Sequence, residues 1–196
     1  TAMGEETIAS GSRSTAMGYS TRAEGGISTA MGNTTIASGF ASTAMGQLTT
    51  AIGDYSTAMG EETIASGSRS TAMGQNTIAS GAYSTAMGSQ TQASGLWSIA
   101  AGAYSNASGT VSLSIGYESI ASGDNSTAIG YRVTAKDRSS LVMGQYNLTG
   151  STVTSSADQF SLDNTAFVIG NGADINNRSD ALVVKFNGDT TLAGSM

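Results

Sequence analysis

The 196-residue chain contains no cysteine, no histidine and no proline. Without cysteine and histidine the usual zinc and transition-metal sites are excluded, and so are thiol and imidazole catalysis. No disulfide framework can form, so the redox compartment is not legible from cysteines. Charge is scarce, with 8 Lys and Arg against 14 Asp and Glu. A nucleic-acid binder needs a basic stripe, and this mildly acidic chain has none. No apolar run approaches the ~18 residues of a membrane span. With histidine absent and acids scattered, no nucleophile, base and orienting group can be assembled. The sequence therefore points to no catalytic residue, no cofactor and no metal, and does not read as an enzyme. Thr1 falls inside a repeat with no leader before it, so the sequence reads as a fragment.

What the chain has is glycine, 26 residues of it, in a lattice. Gly4, Gly18, Gly32 and their successors to Gly144 recur every 14 residues without a slip, each closing a block such as Thr-Ala-Met-Gly. A second series, from Gly11 and Gly25 to Gly123, runs midway between them. A short fixed period without insertions predicts a solenoid. A heptad helix is excluded by chemistry: heptads need two large apolar positions, and Gly, Ser and Thr are poor interior helix residues.

Successive strand side chains face opposite sides. In the first strand of each unit Ser14, Ala16 and Gly18 share one side, and Thr15 and Met17 the other. In the second strand Thr35, Ala37 and Gly39 share a side, and the Ala column from Ala9 to Ala135 never changes. Columns that admit only small side chains are sterically closed. Both are expected inside a thin roll of two strands per coil, with glycine supplying the positive φ of tight corners. Outside, the Ile8 column accepts Arg22, Gln92 and Asn106 and should face water. The Met17 column stays apolar through Met31, Met45, Met59, Met73, Met87, Ala101, Ile115, Ile129 and Met143. Its neighbouring column, Thr elsewhere, becomes Ile99, Leu113 and Leu141, and Ile99 is large where Ala101 is small, a volume compensation that suggests a packed interface. So long an apolar stripe is unusual on a monomer, and a roll filled with Ser, Ala and Gly buries little apolar area of its own. Together they predict an obligate oligomer joined through the Met face.

The unit Ser-Thr-Ala-Met-Gly-x-x-Thr-x-Ala-x-Gly resembles the repeat of YadA-like heads in trimeric autotransporter adhesins, over residues 1–146. The resemblance implies a left-handed parallel β-roll, three chains about an axis, and a bacterial adhesin exposed on the outer membrane. Its partners would be an extracellular matrix protein, a glycan or a cell-surface receptor. The expected fold is thus all-β, a homotrimeric parallel β-solenoid of 14-residue coils. Residues 147–196 depart from the repeat and carry no neck motif of the family kind. The stretch Phe167–Gly172 through Asn177–Val184 instead resembles fibrous surface and phage-tail proteins, so a trimeric phage tail-fibre segment is the alternative reading. Asn187-Gly188 signals a two-residue hairpin, and 147–196 is expected to be a β-rich cap that closes the roll.

The corners are free to vary, so recognition would sit there. Tyr55, Arg69, Tyr83 and Trp97 occupy one corner column and should stand about 4.8 Å apart in adjacent coils. Phe40 and Leu96 lie beside them. Tyr, Trp and Arg are enriched at binding hot spots, which makes this ladder the candidate ligand surface; plain stacking that stiffens the corner is the other reading. The second candidate surface is the opposite corner, around Tyr104, Tyr117 and Tyr131. Glu5-Glu6 and Glu61-Glu62 read as solvated acidic corners. Gly170–Asp174 has turn chemistry without the glycine-aspartate series of a calcium β-roll. An ice-binding solenoid would need a flat Thr-x-Thr array facing water, whereas Thr here alternates with Met.

Overall fold

The computed structural model describes residues 1–149 and 158–193. Among these residues there are strands and turns and no helix. The chain divides into two compact units, residues 1–97 and 98–196.

In the first unit, five-residue strands such as Thr57–Glu61 and Thr71–Gln75 alternate with two-residue strands such as Ile64–Ala65 and Ile78–Ala79. Each kind pairs with its own kind, always in parallel. The register repeats by 14 residues: Ala58 opposes Ala72, Met59 opposes Met73 and Gly60 opposes Gly74, while Ala65 opposes Ala79. The glycine lattice therefore forms a parallel solenoid with one long and one short strand per turn. In the second unit the same alternation runs from Ile99–Ala103 to Leu141–Gln145. There Thr165–Asn171 extends the long sheet in parallel beside Leu141–Gln145. Asp180–Lys185 and Thr190–Leu192 follow as an antiparallel meander.

The interior is built as the columns require. Ala16, Ala30, Ala44, Ala65 and Ala79 are wholly buried, together with Thr35, Thr63 and Ser56. Some interior hydroxyls find local carbonyls, Ser14 Oγ donating to Gly11 O at 2.7 Å and Ser42 Oγ to Gly39 O at 2.8 Å, whereas among the described residues the buried hydroxyls of Thr35, Ser56 and Thr63 make no hydrogen bond.

Two expectations need correction. The Gly18 column is not interior. Gly18, Gly32, Gly46 and Gly60 are exposed, with φ between 120° and 128°. That backbone leaves the pleat, and a Cβ on Gly60 would strike the backbone carbonyl of Gly74. Glycine is needed there for conformation and for close approach between coils, not for lack of room inside. The midway glycines are indeed buried, as at Gly67 and Gly81, where a Cβ would meet the backbone of the next coil.

The corners, second, are not turned by glycine. They are turned by ordinary residues in the left-handed region, among them Ile27 (φ 62°), Tyr55 (59°), Arg69 (57°) and Val111 (55°) on one side, and Glu62 (52°) and Tyr104 (57°) on the other. Each such corner is held by a backbone bond to the preceding coil: Arg69 N–H donates to Asp54 O at 2.8 Å, and Tyr83 N–H to Ser68 O at 2.8 Å. The hydrogen-bond ladder between coils supports a conformation that costs non-glycine residues roughly 1–2 kcal/mol.

The Asn187-Gly188 hairpin forms with one residue more than expected. Lys185 N–H donates to Asp189 O at 2.9 Å, leaving Phe186, Asn187 and Gly188 in the loop, with Gly188 at φ 93°. Of the expected cap, residues 150–157 and 194–196 lie outside the described residues. At the end of the short sheet, Asn147 closes the exposed edge: its side-chain amide accepts Thr134 N–H at 2.7 Å and donates to Thr134 O at 3.0 Å. Asp137 stands where the lattice would have glycine, and its carboxylate accepts both the N–H and the hydroxyl of Thr165, at 2.9 and 2.7 Å.

Candidate functional site: an apolar stripe and two corner ladders

The Met17 column lies on the outer face of the long sheet, since Ala16 and its equivalents fill the inner one. In the first unit Met17, Met31, Met45, Met59 and Met73 are half-buried and Met87 is exposed. They stand in register, Met31 beside Met17 and Met45 beside Met31. In the second unit Ile99 and Ile115 are exposed, and Leu113, Ile129, Leu141 and Met143 half-buried. Each unit thus presents an apolar stripe on its outer long face. Exposure within one chain does not separate this stripe from the Ile8 column, whose Ile64 is 36% exposed. Composition does, because only the Ile8 column admits Arg and Gln.

The first corner ladder lies within the first unit, and the parallel register brings its members together. Arg69 Cζ lies 5.2 Å from the ring centroid of Tyr55 and 5.2 Å from that of Tyr83. Its Nη1 donates to the Tyr83 hydroxyl at 3.1 Å. Tyr83 and Trp97 follow at 5.8 Å with a 36° tilt, and Phe40 meets Tyr55 edge-on at 5.6 Å. The guanidinium is therefore clamped between two rings, an arrangement worth about 0.5–1 kcal/mol at an exposed site. Arg69 thus lies near both neighbouring rings, with one of its donors engaged inside the ladder. Tyr55 and Trp97 still expose about half their surface, 52% each. Asp54 joins from the adjacent column by accepting Phe40 N–H at 2.9 Å.

The second ladder lies within the second unit and is longer than its sequence signature. Tyr104 meets Tyr117 at 5.6 Å, Tyr117 stacks on Tyr131 at 5.1 Å and 11°, and Tyr131 meets Tyr146 at 5.3 Å. Arg132 reaches the rings of Tyr117, Tyr131 and Tyr146 while pairing with Glu118 at 2.7 Å. That pairing, through its hydrogen bond, raises the Arg132 pKa. A hydrogen bond with Tyr146 likewise raises the Tyr131 phenol. Arg178, from beyond the repeat, covers Tyr146 at 5.7 Å and donates to Arg132 O at 3.1 Å. Sequence reasoning missed Tyr146, Arg132 and Arg178. The first two could have been found as the next members of the Tyr104 column, whereas Arg178 carries no periodic signal. Its cation is paired with Glu118 and one of its three ring contacts is stacked, the other two edge-on, and Arg178 ties its last ring to the residues beyond the repeat.

The acidic corners are solvated and tied along the coils: Glu6 accepts Ser20 Oγ at 3.1 Å, and Glu61 accepts Gln75 Nε2 at 3.0 Å. Among the described residues no three His, Cys, Asp or Glu side chains converge as a metal site, and no helix is long and apolar enough to cross a membrane. Near the end of the repeats, residues including Asp137, Asn147, Arg178 and Asp180 line a cavity of about 430 Å³. Burial raises the Asp180 carboxyl pKa, against the opposing effect of a hydrogen bond from Leu148 N–H at 2.9 Å.

No curated protein matches the chain. The family model of the YadA head domain repeat, in its two-copy form, matches residues 1–21, 9–35, 37–63, 51–77, 65–91, 79–105 and 107–132. This family is adhesive and structural rather than catalytic, and its heads are of the trimeric autotransporter adhesin type. Period, parallel register and family match agree, and the chain belongs to the YadA head domain repeat family.

Proposed function

We propose that this chain is the head of a trimeric adhesin on a bacterial outer membrane, attaching the cell to host matrix or host cells. The observation that carries the reading is the run of head repeats over a parallel solenoid, each unit of which bears an apolar stripe on its long face. Three copies would meet through Met17, Met31, Met45, Met59, Met73 and Met87, continued by Ile99, Leu113, Ile115, Ile129, Leu141 and Met143. Residues 147–196 would serve as the cap of the roll.

The contact surface would be the Tyr55–Arg69–Tyr83–Trp97 ladder. The exposed rings supply area at low entropic cost, and the free N–H groups of Arg69 would meet an acidic or carbohydrate group. The threefold would present the ladder three times, so weak single contacts would add to useful avidity on a repetitive target such as a matrix fibre or glycan. The test is a variant with Tyr55, Arg69, Tyr83 and Trp97 all changed to Ala. It should fold and associate normally, because no corner side chain enters the interior. Adhesion to immobilised matrix proteins and whole cells should fall. Undiminished adhesion would return the ladder to a purely stacking role.

A further inference from the structure

The meander formed by Thr165–Asn171, Asp180–Lys185 and Thr190–Leu192 has two apolar faces, and the solenoid accounts for only one. On the inner face Val168 is buried and joins the core of Ala128, Val133 and Val142, with Val183 packed against it. An antiparallel sheet with one face on a core ordinarily turns polar residues outward. This one does not. Register carries the apolar columns of the repeats into it, one as far as Leu192 and the other as far as Val184, beside which stands Thr190. Met143 stands beside Ile169, Ile169 beside Leu182, and Leu182 beside Leu192. In the neighbouring column Leu141 stands beside Phe167, and Phe167 beside Val184. None of these positions is charged. Ile169 is 37% exposed and Leu192 75%, and Phe167, Leu182 and Val184 are half-buried.

We infer that the outer face of the meander is part of the self-association surface, covered by the equivalent strands of two further copies of this chain. The inference rests on the trimer proposed above. The occupant follows from continuity: the meander columns are the same two columns, in the same register, as the stripe through which the copies would meet. A different partner would have to abut a surface already closed by those copies. The consequence is that residues beyond the head repeats hold the trimer together as well as capping each roll.

The absence of cysteine allows a clean test on the full chain with the single variants Met73→Cys, Leu192→Cys and Ile64→Cys. Within one chain Leu192 is more exposed than Ile64, 75% against 36%. The inference predicts the reverse order in solution. Leu192→Cys should react with a maleimide about tenfold more slowly than Ile64→Cys, because an occluded thiolate is not attacked. Leu192→Cys and Met73→Cys should both form covalent dimers with a short bis-maleimide, and Ile64→Cys should not. Fast labelling of Leu192→Cys without cross-linking, beside a cross-linked Met73→Cys, overturns the inference and leaves the Met-stripe trimer standing. Protection of Leu192→Cys without cross-linking also overturns it, because the cover is then not a second copy. Fast labelling without cross-linking at both positions removes the trimer and the inference together.

Discussion

Asn147 holds Thr134 from both sides, accepting its N–H at 2.7 Å and donating to its carbonyl at 3.0 Å. The side chain thereby performs for Thr134 the part that a further strand would play at the end of the short sheet. Its Nδ2 also donates to Leu148 O at 3.0 Å. Asn147→Ala should destabilise the second unit by about 1–3 kcal/mol, the cost of stranding part-buried backbone groups. Asn147→Asp keeps the acceptor and loses both donated bonds, so it should be no gentler near neutral pH. Thermal melting and amide exchange at Thr134 check this; unchanged protection at Thr134 in Asn147→Ala would contradict it.

Three neighbouring positions separate conformation from packing. Gly60→Ala should be strongly destabilising although Gly60 is exposed, because its φ of 120° and the approach of Gly74 O leave no place for a Cβ. Ala65→Val should cost ~1–3 kcal/mol by overpacking a wholly buried site. Ile64→Gln, adjacent in sequence on the outer face, should stay within about 0.5 kcal/mol. Melting temperatures rank the three; equal losses at Ala65 and Ile64 would contradict the assignment of faces.

Val111 turns a corner at φ 55° with a β-branched side chain that is 48% exposed. Asn adopts that conformation far more readily. Val111→Asn should therefore stabilise each chain by about 0.5–1 kcal/mol, the scale of a relieved backbone conformation, and raise the melting temperature. A lower melting temperature would mean that contacts made by Val111 outweigh its backbone conformation.

Asp180 gives the second unit a pH dependence of defined sign. Its folded pKa is raised by burial, so between the ordinary carboxylate value and the folded one the native state holds more protons than the unfolded chain. Through that window this group's contribution to stability falls as pH rises. Asp180→Asn keeps an acceptor for Leu148 N–H and removes the titration. It should match or exceed the parent in stability near neutrality and lose that advantage in acid, as read by melting across the carboxylate range. An advantage that grows towards acid would reverse the sign.

The period made most of the fold legible. Because identical residues recur at one spacing, the parallel register, the buried Ala columns and the proximity of Tyr55, Arg69, Tyr83 and Trp97 all follow from it. What was not legible depends on backbone conformation or on single contacts. The Gly18 column resembled an interior column because small size is demanded equally by a crowded core and by a positive φ. The corners gave no glycine signal because ladder bonds such as Arg69 N–H to Asp54 O stabilise left-handed residues of any type. Asn147 and Arg178 act once each, outside the repeat, and so leave no column to read. At the site, the sequence indicated that Arg69 neighbours Tyr55 and Tyr83, but not that its Nη1 donates to the Tyr83 hydroxyl.

The mass of the particle in dilute solution, by light scattering on the parent and on Met59→Asp/Met73→Asp, bears most directly on the proposed assembly. The parent should scatter at three times the 19.6 kDa chain mass and keep that mass on dilution. The double variant would place like charges from every copy on a dry face, where an unpaired charge is very costly, and should fail to assemble. A folded parent of single-chain mass, or a double variant that assembles and melts like the parent, would show that the Met face is not where the copies meet.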